Sequence, residues 1–189
     1  MAQYFSDRLR DYVPNSVYCL YSGGGIYVTV HHKVFDLFCD RFKNDPEYPW
    51  DKMAKALGDA FDYLIGHMEN EFFKLHPEHI GKVKADQLNN SQRIFKTLFS
   101  VHKKLDYAVI PLDPENIEID FENALIPLKP KVINLGKRWY TNYDHGKYLL
   151  SNLLNPFFEQ SYQNINKTYQ IEGKQEFNCS PIPIEDIEK

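Results

Sequence analysis

Between Lys84 and Lys104 the chain collects an acid, several bases and a Ser-x-His: Asp86, Arg93, Lys96, Ser100, His102, Lys103 and Lys104. A carboxylate can hold a divalent cation, while ammonium, guanidinium and imidazole groups can hold phosphate oxygens. Together these residue types suit nucleotide chemistry. A second group lies upstream, in Tyr21-Ser22-Gly23-Gly24-Gly25-Ile26-Tyr27. Glycines admit positive φ and let a ligand approach main-chain N–H groups closely. Ser22 and Tyr27 add hydroxyl donors. Each group also has a plain reading: a glycine hairpin without a ligand, and a solvated loop with ordinary charges.

The elements that must position these residues can be read from apolar periodicity and from Gly and Pro. Residues 1–13 suit a short amphipathic helix closed by Pro14. Val17 to Leu20 and Ile26 to Val30 read as strands joined tightly through Ser22-Gly23-Gly24-Gly25. Lys33 to Lys43 is a helix candidate, interrupted by Asp45-Pro46. From Asp51 to about Lys74, Met53, Leu57, Phe61, Leu64, Met68 and Phe72 recur at helical spacing, which predicts one long helix with a single buried stripe, limited by Pro77. Residues 80–86 and 107–112 read as strands, with Ser91 to Phe99 a turn or short helix between them. Pro111 to Pro130 is proline-punctuated and partly extended. Lys147 to Tyr162 is a further helix candidate, and residues 170–189 read as a loosely held acidic tail. The sum is an α+β domain.

Composition narrows the function classes. A chain of 189 residues with 43% hydrophobic and 15% aromatic residues can build a substantial core. A formal net charge of −4 argues against coating nucleic acid by bulk charge, while leaving room for a local basic groove. The 3 cysteines, Cys19, Cys39 and Cys179, fit neither a disulfide framework nor a Cys-x-x-Cys zinc site, so an intracellular, cytoplasmic location is expected. No apolar run approaches the roughly 20 residues of a membrane span, so no membrane partner is expected.

The run Lys96-Thr97-Leu98-Phe99-Ser100-Val101-His102, preceded by Asp86, resembles the third motif of archaeo-eukaryotic primases, the Asp…Lys-x-x-Phe-Ser-Val-His pattern of their small catalytic subunit. Ser22, Gly23, Gly25 and Ile26 are similar to the family's second motif, Ser-Gly-x-x-Gly-apolar-His, with one loop position dropped and Tyr27 standing where histidine is usual. The resemblance covers residues 17–30 and 84–127. It implies a primase-type catalytic core over 1–130, with a mixed β-sheet flanked by helices, then a helical segment over 131–169 and the tail.

It also implies a function: template-directed nucleotidyl transfer, as by a DNA primase or primase-polymerase. Asp86 would be the catalytic, metal-holding acid for Mg²⁺ or Mn²⁺. Ser22, Gly23, Gly24, Gly25, Tyr27, Arg93, Lys96, Ser100 and His102 would bind a nucleoside triphosphate. Apart from the resemblance, Lys103 and Lys104 are candidates for a basic groove, and Lys137 and Arg138, with Trp139, Tyr140 and Tyr143, mix bases with aromatics in the way that suits a single-stranded DNA template held by charge and stacking, or the aromatics simply pack in a core. A second primase subunit or a replication protein is the implied protein partner.

The family's first motif, Asp-x-Asp on a strand, has no match before Ser22. Asp7 and Asp11 are one helical turn apart, and Glu118-Ile119-Asp120 follows the third motif and also suits an exposed acidic edge. Two-metal transfer needs more than one carboxylate. Three explanations stay open: a piece of a longer enzyme, a first motif on another polypeptide, or a degenerate nucleotide- or nucleic-acid-binding subunit of a replication or CRISPR-type complex. An unrelated α+β interaction protein is a third hypothesis.

Overall fold

Val17-Tyr18-Cys19-Leu20-Tyr21 has no charged position, and a strand of this kind is stable only when both its faces are covered. In the computed structural model all five of these residues are buried in the central strand of the sheet. The structure describes residues 1–35, 50–86, 95–138, 140–144, 154, 157–161 and 163–164. Strand β1 (Val17–Tyr21) pairs antiparallel with β2 (Ile26–Val30), from Val17↔Val30 to Tyr21↔Ile26. On its other edge it pairs antiparallel with β3 (Ile110–Leu112), Cys19 opposite Leu112 and Tyr21 opposite Ile110. The order is β2-β1-β3. The class is α+β, but the expected mixed sheet is corrected: among the described residues every pair is antiparallel. The four-residue link 22–25 can only make a hairpin, and the chain enters β3 running against β1.

Helix α1 (Ala2–Arg10) buries Leu9 and Ser6. Helix α2 (Trp50–Leu75) spans 26 residues, about 39 Å at the usual rise. Its stripe Leu64, Met68 and Phe72 is buried, and Ala56 and Ala60, both fully buried, let neighbouring chain approach its first turns. Alternate residues of β1 feed two clusters. Val17 packs with Leu9, Val13, Leu64 and Met68. Cys19 and Tyr21 pack with Ile110, Leu112 and Val132. The rings of Tyr4 and Phe72 meet at a 57° tilt with centroids 5.7 Å apart, and Tyr4 Oη donates to Glu71 at 3.1 Å, so α1 is held on α2. The N-terminal turn of α1 also clamps a loop: Ser6 Oγ donates to the Pro114 carbonyl at 2.7 Å, and Ile117 N–H donates to Gln3 Oε1 at 2.7 Å.

Several expected elements change. Residues 80–86 form no strand: Gly81 turns the chain at φ +75°, and Ile80 and Val83 stay 63% and 39% exposed because no apolar face covers them. The Lys33–Lys43 helix opens as a 3-10 turn over His32–Phe35, and residues beyond it lie outside the described ones. The 107–112 strand contracts to β3, with Tyr107 and Ala108 in single bridges to Leu125 and Val101. Two helices stand in the proline-rich region and just after it. Helix α3 (Phe121–Ala124) is capped by Asp120, whose carboxylate accepts from Glu122 N–H at 3.0 Å, so Asp120 is a cap and not part of a strand edge. Helix α4 (Pro130–Arg138) starts on proline, which the first helical position tolerates. Of the Lys147–Tyr162 helix, residues 154 and 157–161 are helical and Phe158 is buried; the tail 170–189 lies outside the described residues.

Leu64→Ala, at 3% exposure, is expected to cost about 2–5 kcal/mol in denaturant unfolding. Val83→Ala, which removes methyls already in water, is expected to stay within about 0.5 kcal/mol of the parent.

Candidate functional site

The glycine connection forms first, from local bonds. Ser22 gives both its N–H and its Oγ to the Gly25 carbonyl, each at 2.9 Å. Gly23 takes φ +85°, a conformation that side chains disfavour, and Tyr21 Oη donates to the Gly23 carbonyl at 3.2 Å. The N–H groups of Gly23, Gly24 and Gly25 have no hydrogen-bond partner among the described residues. Space is open where side chains would stand at Gly24 and Gly25. The result is a turn with consecutive main-chain donors that have no partner among the described residues, a feature that anion-binding turns share.

The second component is the turn 95–100 and the small hairpin after it. Phe99 N–H donates to the Val109 carbonyl, Val109 N–H to the Ser100 carbonyl and His102 N–H to the Tyr107 carbonyl, at 2.9, 2.9 and 2.7 Å. Phe99 sits at φ +63°, which costs a residue with a side chain about 1–2 kcal/mol. Its ring lies against Gly136 of α4, so closely that a Cβ there would stand 2.1 Å from the ring's Cζ. Packing against the helix and the bond to Val109 offset the backbone strain.

These two components touch. Lys96 Nζ donates to the Ser22 carbonyl at 2.7 Å. The His102 ring lies over Gly23, where an added Cβ would be 2.8 Å from its Cδ2. Lys104 N–H donates to His102 Nδ1 at 3.2 Å, so the neutral ring carries its proton on Nε2, the nitrogen nearer Gly23. An ammonium, an imidazole N–H and three main-chain N–H groups therefore share one corner. Among the described residues no carboxylate pairs with Lys96 or His102.

The other expected residues are less uniform. Ser22 is buried and its hydroxyl is committed to the turn. Ser100 Oγ donates to the Thr97 carbonyl at 2.7 Å and also closes a turn. Lys103 and Lys104 are exposed at the tip of the hairpin, and Lys137 is exposed on α4. Arg93 and the side chain of Arg138 lie outside the described residues. Asp86 is exposed, its carboxylate 3.0 Å from Lys84 Nζ, and its neighbour Ala85 is tied to α2 by an N–H bond to Glu69 at 2.8 Å. Among the described residues, no group of three or more His, Cys, Asp or Glu side chains is arranged to hold a metal ion. Tyr140 and Tyr143 do not form an open stacking surface: their rings lie 4.1 and 4.6 Å from the buried His31. Cys19 is fully buried, and desolvation pushes its thiol up to about 11, so it is not a nucleophile at neutral pH.

No protein-family model, curated protein or solved structure matches the chain. The corner must therefore be interpreted from its own chemistry. Two residues that the sequence did not single out belong to it. Gly136 admits the Phe99 ring, and Phe95 meets Tyr27 edge to face, with centroids 5.6 Å apart and planes at 84°. Neither carried a legible signal, since one was an ordinary helical glycine and the other one phenylalanine among 13.

Gly23→Ala should both strain the turn and push His102 aside, destabilising the fold by about 1–3 kcal/mol and shifting the His102 imidazole NMR resonances. Gly24→Ala, with open space at that position, should do neither.

Proposed function

We propose that this chain binds a nucleoside triphosphate by its phosphates, as part of a primase-type nucleotidyltransferase. The observation that carries this reading is the docking of Lys96 and His102 onto the glycine turn. Phosphate recognition calls for cations beside unpaired main-chain donors, and these come from two segments far apart in the chain, each of which resembles a motif of the primase family. Lys96 and His102 contribute charge and a donor, and the 23–25 backbone contributes neutral donors. Lys103, Lys104 and Lys137 supply basic surface for a single-stranded template.

In this reading Asp86 would hold the Mg²⁺ or Mn²⁺ that accompanies the triphosphate, which neutralises charge on the phosphate oxygens. A single acid does not fit a two-metal centre, and the described residues add no cluster to it. The second reading is a catalytically degenerate nucleotide- or nucleic-acid-binding subunit of a replication or CRISPR-type complex.

Titration of ATP with Mg²⁺ tests the first step. Lys96→Ala and His102→Ala should each weaken binding about 10-fold or more, since a hydrogen bond to a charged group is worth about 1.5–3 kcal/mol. Unchanged affinity in both variants would overturn the phosphate site. Primer synthesis that is abolished by Asp86→Ala would establish transfer by this chain. Binding with no synthesis would establish the second reading.

A further inference from the structure

Beside the phosphate corner stands an aromatic pair with no role in the reading so far. Tyr27 lies on β2, just beyond the glycine turn, and Phe95 immediately precedes Lys96. Their rings meet at 84° with centroids 5.6 Å apart, so one ring's edge abuts the other's face. Phe95 keeps 46% of its surface in water, comparable with Tyr63 at 51% and Phe121 at 54%, and what sets it apart from these is its place beside Lys96. The sheet register places Tyr27 opposite Leu20, which fixes it at the mouth of the glycine turn.

We propose that Phe95, braced by Tyr27, is the platform on which the nucleobase of the bound nucleotide stacks. The inference rests on the phosphate-binding reading and extends it to the other end of the ligand. A nucleotide carries its base one sugar away from its phosphates, so it needs an aromatic face next to the phosphate cations and not among them. The chain supplies this arrangement: Lys96 turns to Ser22 while the adjacent Phe95 turns to Tyr27. A ring face makes no donor or acceptor pattern, so the platform accepts purines and pyrimidines alike, as a template-directed reader requires. The substrate class is then any of the four nucleoside triphosphates, with selection left to the template.

The experiment compares ATP and CTP with inorganic triphosphate, which has no base. Stacking is worth about 1–3 kcal/mol per base, so Phe95→Ala and Phe95→Leu should each weaken both nucleotides about 5- to 150-fold and leave inorganic triphosphate unchanged. Phe95→Leu keeps apolar contact with Tyr27, so a merely structural role would survive it. Phe95→Trp should retain or raise nucleotide affinity. Lys96→Ala should weaken all three ligands. Nucleotide affinity undiminished in Phe95→Leu and Phe95→Ala, with Lys96→Ala still weak, would overturn the platform and leave the phosphate site standing. If the parent protein bound neither ATP nor triphosphate, both would fall.

Discussion

The burial of β1 constrains everything else. Five consecutive buried residues need cover on both faces and pairing on both edges, and the chain supplies each from a different region. On the face that carries Val17, Cys19 and Tyr21, α1 and α2 cover the Val17 end and α4 with α3 covers the Cys19 and Tyr21 end; on the other face Tyr18 meets His31 and Tyr140. Pairing with β2 brings the glycine turn to one end of the strand. Pairing with β3 brings the 95–109 segment back to that same end, because Tyr21 lies opposite Ile110 while also pairing with Ile26. The meeting of the turn with Lys96 and His102 is thus a product of how the central strand satisfies its backbone.

Within that corner, precision comes from contacts that tolerate little change. Phe99 occupies a left-handed conformation that nothing local favours, and a bond to Val109 and the open face of Gly136 hold it there. The turn it makes directs the next residues back along 107–109 and places His102 over Gly23. On the opposite side, Ser22 spends its hydroxyl and N–H on a single carbonyl, which leaves its own carbonyl to Lys96. The serine therefore shapes the turn, and the donors that face outward are main-chain ones.

What the sequence disclosed follows from which forces are local. The α2 stripe and the Ser-Gly-Gly-Gly hairpin are legible because period and turn chemistry act over a few residues, and both stand close to their expected bounds. The same logic misleads at 80–86, where β-favouring residues find no neighbour to pair with, and the short helix 121–124 is set by one cap. In the site, the motif residues Lys96 and His102 were readable by type, but their convergence on residues 22 and 23 is a tertiary fact. Phe95 was invisible in a chain so rich in aromatics: its contact with Tyr27 beside Lys96 distinguishes it, and a tertiary contact has no sequence signature.

The contact between Phe99 and Gly136 has a consequence for how this chain can vary. A ring and a missing side chain share one volume across two distant stretches of sequence. Neither position can drift by itself: any methyl gained on the helix demands a smaller neighbour in the turn, so the two must be exchanged as a matched set. A scan of paired substitutions would register this as strong non-additivity, with the double replacement milder than the helical one alone.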